Sequence, residues 1–179
     1  MTAESSVLLE WALFCLRFCS SSQELRNADV WILGGDFIVK LVEPTAEYSR
    51  QIQEYRSEFL ECGDSMDGTG DLKQFDDPEA WIDYLNKNKN PLTVPEGRVP
   101  STQLIFLREE DHKIIGMIDI RHSLNEYLEK YGGHIGYSVV PSERRKGYAS
   151  QMLKTALLKC KELNMDKVLI TCADDNKGS

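Results

Sequence analysis

The sequence predicts a mixed α+β domain with a mostly antiparallel sheet, one parallel strand pair near its C-terminal end, and helices packed on the sheet. Three observations lead there. Short β-branched runs alternate with longer stretches of helical spacing. The runs at 103–107 and 113–120 flank a charged turn, Arg108-Glu109-Glu110-Asp111-His112, as in an antiparallel hairpin. The last unit reads strand, turn, helix, strand, an order that normally closes a parallel pair through a right-handed crossover.

In chain order, residues 1–35 read as an N-terminal appendage, helical or disordered. Positions 7–18 have few polar residues, Ser20, Ser21 and Ser22 break that pattern, and Gly34-Gly35 follows. The domain proper is expected over 36–179. Residues 37–42 are short and β-branched, a strand ended by Pro44. Thr45 is placed to cap a helix whose apolar residues Tyr48, Ile52, Tyr55, Phe59 and Leu60 recur at steps of three and four, with Gly63 past its end. Asp77-Pro78 supplies a cap and a first-turn proline for a second helix through Ala80, Trp81, Tyr84 and Leu85, and a polar loop follows over 86–102. After the hairpin, 134–140 reads as a strand. Ala149, Met152, Leu153, Ala156, Leu157, Cys160 and Leu163 then mark one face of a third helix, and 168–172 a further strand.

A chain of 179 residues, 41% hydrophobic and 28% charged, has the size and apolar content of one domain with its own core. A formal charge of −8 excludes nucleic acid and anionic membrane as partners held by long-range attraction, and favours cationic or amine ligands. No apolar run approaches the roughly 20 residues that span a bilayer. The segment 7–19 resembles a signal peptide poorly, since Glu4 precedes it and Glu10 and Arg17 interrupt it. Cys15, Cys19, Cys62, Cys160 and Cys172 are odd in number and form no C-x-x-C pair, so free thiols in a reducing cytoplasm are expected. Charge is uneven. From Glu58 to Asp83 the only base is Lys73, whereas Arg144, Arg145, Lys146, Lys154, Lys159 and Lys161 outweigh the acids over 141–162. Two ligands of opposite charge, or simply two solvated helical faces, would account for this.

The turn before the third helix carries the most chemistry. Pro141 stops the strand, and Gly147 and Ala149 leave the backbone uncovered where the helix starts, so several N–H groups can point at one anion. The helix N-terminus carries about half a positive charge, and Arg144, Arg145 and Lys146 add to it. A phosphate or pyrophosphate matches. The G-x-x-x-x-G-K-[ST] and G-x-G-x-x-G patterns are both absent; what stands here is R-x-x-G-x-A, from Arg144, Gly147 and Ala149. It resembles the acetyl-coenzyme A motif Q/R-x-x-G-x-G/A of the GNAT superfamily of N-acetyltransferases, and the surrounding order of strands and helices is similar too. Within that superfamily the chain looks closest to bacterial predicted acetyltransferases with G-D-S-M-D-G-T, I-D-I-R-H and G-G-H-I-G-Y-S-V stretches, here at 63–69, 118–122 and 132–139.

The resemblance implies a GNAT-like sheet whose parallel strands splay apart around the pantetheine arm, and transfer of an acetyl group from acetyl-coenzyme A to a primary amine. On this likeness Ser138, Val139 and Val140 meet the pantetheine, Arg144, Arg145, Lys146, Gly147, Tyr148 and Ala149 the pyrophosphate, and Asn176 the reactive end. The family often takes its base from the cofactor-binding strand. No carboxylate lies on 134–140, which leaves His134 as the titratable candidate, with a hydrogen-bonded structural role as the alternative. His122, with Asp119 and Arg121, is either part of the acceptor site or an ordinary strand-end cluster. The acidic, glycine-rich loop 63–71 suits an amine acceptor, a small molecule or a peptide, and fails the calcium spacing, so no metal is expected. Relatives continue past the 174–176 region with a helix, often bearing a tyrosine acid, and two more strands. The domain therefore reads as C-terminally incomplete. A fragment of a longer enzyme, a homodimer covering the open strand edge, or the 7–18 segment packed over it would each answer this, and a coenzyme A-binding or dimerising module without turnover is the alternative function.

Overall fold

The computed structural model describes residues 30–34 and 37–172. The helix read at 7–18 and the cofactor residue Asn176 lie outside the described residues. The elements run β1 (Val30–Gly34), β2 (Phe37–Val42), α1 (Ser49–Cys62), α2 (Pro78–Lys89), β3 (Ser101–Arg108), β4 (Lys113–Arg121), β5 (Ile135–Val139) and α3 (Tyr148–Glu162). The strands form one five-stranded sheet in the order β1-β2-β3-β4-β5, each neighbouring pair antiparallel. The architecture is the mixed α+β one that the alternation of periods predicts.

Two strands depart from the sequence reading. Val30–Gly34 pairs with β2, Gly34 opposite Phe37, in a stretch read as appendage. Its V-W-I-L-G composition is strand-like, and the glycines after it suit a hairpin. At the other end, 168–172 is not a strand, so the expected parallel partner of β5 is not formed among the described residues. The bonds there run instead to the residues before β5: the Leu169 carbonyl accepts from His134 N at 2.7 Å, its N–H donates to His134 Nδ1 at 3.0 Å, and Thr171 Oγ1 donates to Tyr131 O at 2.6 Å. A ring nitrogen stands where a ladder needs a carbonyl, and Arg121 takes the preceding carbonyls of Gly132 and Gly133. The apolarity that made the run look like a strand goes into the core, where Val168 is buried.

The sheet is covered on both faces, which is why β3 and β4 are buried almost end to end. On one face Phe106, Ile118, Ile120 and Ile135 meet Met152, Ala156 and Cys160 of α3. On the other, Ile105, Leu107 and Met117 meet Ile52, Tyr55 and Phe59 of α1 and Trp81 and Leu85 of α2. Helix ends follow the local chemistry. Asp77 accepts from the N–H groups of Glu79 and Ala80, and Gly63 closes α1 at φ 66°. Thr45 does not cap α1; its hydroxyl bonds Glu47, and one tight turn, Ala46–Tyr48, precedes the helix. The second helix runs on to Lys89, four residues beyond Leu85.

The loop 63–71 lies across the α1/α2 face of the sheet. Gly68, at φ 67°, touches Gly136 of β5 so closely that a Cβ on Gly68 would stand 2.1 Å from the Gly136 carbonyl. Three bonds hold the loop in that seat: Ser138 Oγ donates to Asp67 O at 2.6 Å, Gln103 Nε2 to Gly68 O at 3.0 Å, and Trp81 Nε1 to Gly70 O at 2.9 Å. Gly68→Ala is expected to cost more than about 2 kcal/mol in thermal or urea unfolding, since backbone must move as well as φ being strained. Gly97→Ala, at φ 80° with nothing within 4 Å, is expected to cost only about 1 kcal/mol. Equal losses would show that the close approach is not what Gly68 provides.

Candidate active site

Helix α3 starts without a side-chain cap. Its cap residue, Gly147, sits at φ 81° with nothing within 4 Å of an added Cβ, and Arg145 just before it is also left-handed, at φ 65°. This stretch borders a cleft of about 550 Å³ whose other walls include Asp64, Ser65 and Asp67 from the loop and Ser138 and Val139 from β5. Pro141 starts a short turn, Pro141–Glu143, that carries the chain from β5 to this point. The opening of α3 thus presents backbone donors and a dipole end to a cleft, an arrangement suited to an anion.

The basic residues divide the work unequally. Arg144 donates to Asp64 at 2.5 Å and to Val139 O at 3.0 Å, and its guanidinium lies over the Phe59 ring. Asp64, so paired, is held below the usual carboxylate range by Arg144 first and by the Ser65 N–H second. Lys146 donates to Glu143 at 2.9 Å. Glu143 is buried and gathers Arg108, Lys113 and Lys146 around it. Burial works to raise its pKa, but the Arg108 and Lys146 hydrogen bonds outweigh that and bring it down to about 2. Arg145 is exposed and borders the cleft with its side chain in none of these pairs. Tyr148 is buried, its ring edge-on to Phe106 and its hydroxyl accepting from Arg108, so that only its backbone faces the ligand side.

At the end of β5 several backbone groups are engaged within the chain. Ser138 O accepts from Tyr55 at 3.2 Å, Val139 O from Arg144, and Val140 N donates to Ile115 O at 3.1 Å. Val140 and Lys146 do not border the cleft, while Ser138, Val139, Arg144, Arg145, Gly147, Tyr148 and Ala149 do. His134 borders neither this cleft nor the one described next. Its ring nitrogen accepts from Leu169, and burial, then Arg121, keeps its pKa low, which suits a neutral acceptor. His122 is likewise occupied, Nε2 lying 2.8 Å from Thr102 Oγ1.

On the far side of the loop lies a second cleft, of about 690 Å³, bordered by 65–71 and by Asn88, Arg98, Ser101, Asp119 and Tyr127. Ser65 and Asp67 border both clefts, so the loop is the partition between them. Sequence reasoning left Asp119, with His122 and Arg121, between the acceptor site and an ordinary strand-end cluster. Its signal was positional: it falls on the Met117 side of β4, beneath the loop. Burial raises its pKa, with the Arg121 charge opposing. Among the described residues no group of three or more His, Cys, Asp or Glu is placed to hold a metal, and no helix is long and apolar enough to cross a membrane.

The fold is a helix-covered antiparallel sheet with a cleft at the end of its edge strand, bordered by the uncapped start of α3. The family model described as Acetyltransferase (GNAT) family matches residues 51–179, and the chain belongs to that family, whose members transfer acyl groups from acyl-coenzyme A to amines. No curated protein matches the chain as a relative.

The Glu143 cluster gives the cradle a defined acid response. Its carboxyl ordinarily titrates near 4.5 and is held down to about 2, so its charge stabilises the fold above 4.5 and that contribution is lost as pH falls toward 2. Glu143→Gln is expected to cost about 2 kcal/mol near neutrality, measured by urea unfolding. The gap from wild type should close progressively below pH 4.5. A gap independent of pH would mean that the charge of Glu143 is not what stabilises.

Proposed function

We propose that this chain moves the acetyl group of acetyl-coenzyme A to a primary amine on a small molecule or a peptide. The start of α3 carries the reading: an uncapped helix N-terminus, opened by Gly147 at φ 81° with free space where a side chain would stand, beside a cleft that reaches β5. A diphosphate fits there because main-chain N–H groups and the helix dipole favour it without a side chain in the way. The amides of 145–149 hold the diphosphate and Arg145 supplies the free charge. Arg144 and Lys146, tied to Asp64 and Glu143, keep the walls in place.

In this reading the pantetheine arm runs along the end of β5 at Ser138 and Val139, Val140 being buried away from the cleft, and Asn176 belongs near the acyl end. The amine nitrogen bonds to the acyl carbon, the carbon–sulfur bond breaks, and the electron pair leaves on sulfur. Much of the acceleration comes from holding the two reactants in line. His134, with its ring engaged by Leu169, positions the 169 segment against β5 instead of taking the proton. Free thiols at Cys62, Cys160 and Cys172 are in keeping with a cytoplasmic enzyme.

Calorimetric titration tests the cradle. Acetyl-coenzyme A should bind more tightly than adenosine diphosphate, and Gly147→Asp should weaken it at least ~100-fold by bulk and by charge repulsion. The fold should stay intact, because Gly147 touches nothing. Undiminished affinity in the variant would put the site elsewhere. Thiol release over a panel of primary amines then separates an enzyme from a coenzyme A-binding module, which would bind without release. His134→Ala should lower the melting temperature and leave the rate-versus-pH curve unchanged. A lost limb in that curve would return the histidine to catalysis.

A further inference from the structure

An acidic side chain stands in the wall of the cleft beside α3, where an anion is expected. Glu143 borders that cleft and is only 5% exposed. A carboxylate so near a diphosphate repels it, so attraction for the ligand does not account for the residue. What Glu143 touches gives another account. Arg108 grips it through two parallel bonds, Nη1 to Oε2 at 3.0 Å and Nη2 to Oε1 at 3.1 Å. Lys146 donates to Oε2 at 2.9 Å, and Lys113 to Oε1 at 3.4 Å.

Arg108, at the end of β3, joins three segments. It donates to both oxygens of Asp111 in the β3–β4 turn, at 2.9 and 2.7 Å, to Glu143 in the turn after β5, and to the hydroxyl of Tyr148, the first residue of α3, at 3.3 Å. All five guanidinium N–H groups are thereby engaged. Arg108, Lys113 and Lys146 face Glu143, Asp111 and Glu58, so the cluster as a whole is neutral. Such a network fixes geometry and adds little attraction at a distance. Between its two anchors, Glu143 and Tyr148, runs the turn 144–147. There φ is positive at Arg145 and Gly147 and not at Lys146 between them. Alternation of this kind turns successive N–H groups to one side, as a concavity for an anion. Arg145 carries a Cβ, so its left-handed backbone persists only where the surroundings hold it.

We propose that Glu143, clamped by Arg108, is a positioning residue that holds the turn 144–147 in its anion-binding shape in spite of the repulsion its own charge adds. The proposal rests on the reading of the start of α3 as a diphosphate site, and names what shapes that site. Lys146 supplies the link: it lies between the two left-handed residues, and its ammonium is drawn to Glu143 and not to the cleft. Action by charge and action by position differ in sign. If Glu143 acted by charge, neutralising it would remove a repulsion and release Lys146 toward the ligand, and coenzyme A would bind more tightly. If it acts by position, neutralising it loosens the turn, the ligand must order the turn on binding, and coenzyme A binds less tightly.

The test is calorimetric titration of the full chain with coenzyme A, at a temperature where wild type and variants are all folded. Glu143→Gln, close in shape and uncharged, is expected to weaken binding at least ~5-fold, and Arg108→Lys, which keeps the charge and loses the fork, about as much. Arg56→Met is the control for lost stability alone. Arg56, its side chain 14% exposed against 12% for Arg108, bonds Asp76 and the Lys73 carbonyl away from this cleft. Its replacement should change coenzyme A affinity less than ~2-fold. In amide spectra of the unliganded protein, the Arg145 and Gly147 resonances should move in Glu143→Gln while those of α2 stay in place. Equal or tighter binding by Glu143→Gln, unmoved Arg145 and Gly147 resonances, or wild-type affinity in Arg108→Lys would each overturn the proposal. Equal weakening by Arg56→Met would make Glu143 merely structural, which also overturns it. A wild type that binds neither coenzyme A nor inorganic pyrophosphate would instead sink the diphosphate reading, and the proposal with it.

Discussion

The near-contact of two glycines, Gly68 in the loop and Gly136 in β5, is the constraint on which the rest of the site depends. Because neither has a side chain, the loop backbone settles directly onto the sheet, close enough for Gln103 to reach its carbonyl from β3 and Ser138 from β5. A single methyl group there would lift the loop away from both. The partition between the clefts would go with it. Tyr55, fully buried on α1, joins the same arrangement through Ser138 Oγ at 3.0 Å, so the helix, the strand and the loop share one polar junction inside an apolar layer.

Electrostatics in this molecule is local. The acidic run around the loop and the basic run around α3 meet across the cleft beside α3 instead of serving two separate surfaces. Arg144 pairs with Asp64, Glu58 accepts from the Ser142 N–H, and Lys113 bridges Glu58 and Glu143. Those few contacts tie the loop and α1 to the turn before α3, while Arg145 borders the cleft in none of them.

Much of this was legible in the sequence, because it rested on period and punctuation. Helical spacing located α1, α2 and α3, Asp77-Pro78 and Gly63 marked ends that the structure keeps, and Gly147 marked the start of α3 through its place after a strand and before an apolar face. What failed was whatever depends on pairing across the chain. Strand β1 looked like part of an appendage, since a strand of five residues is distinguished only by its neighbour. The 168–172 run has strand composition, but its bonds to His134, just before β5, use the ring as well as the main chain. The same ring shows why His134 stood out as a catalyst: titratable side chains are visible in a sequence, and their hydrogen-bond partners are not. Asp119 was visible only as one of a strand-end cluster with His122 and Arg121; nothing in I-D-I-R tells that one of its carboxylate oxygens lies buried without a donor.

The partition also sorts the residues by how freely they can change. The floor on either side of it is ladder backbone and core: β4, β5 and the first turn of α3, locked to one another by register. The outer lip of the larger cleft is made by Arg98, Asn125, Tyr127 and Leu128, which belong to connecting segments outside the sheet. Substitution there leaves the register untouched. One scaffold can thus vary the shape of its larger cleft through this lip while the walls of the other stay the same.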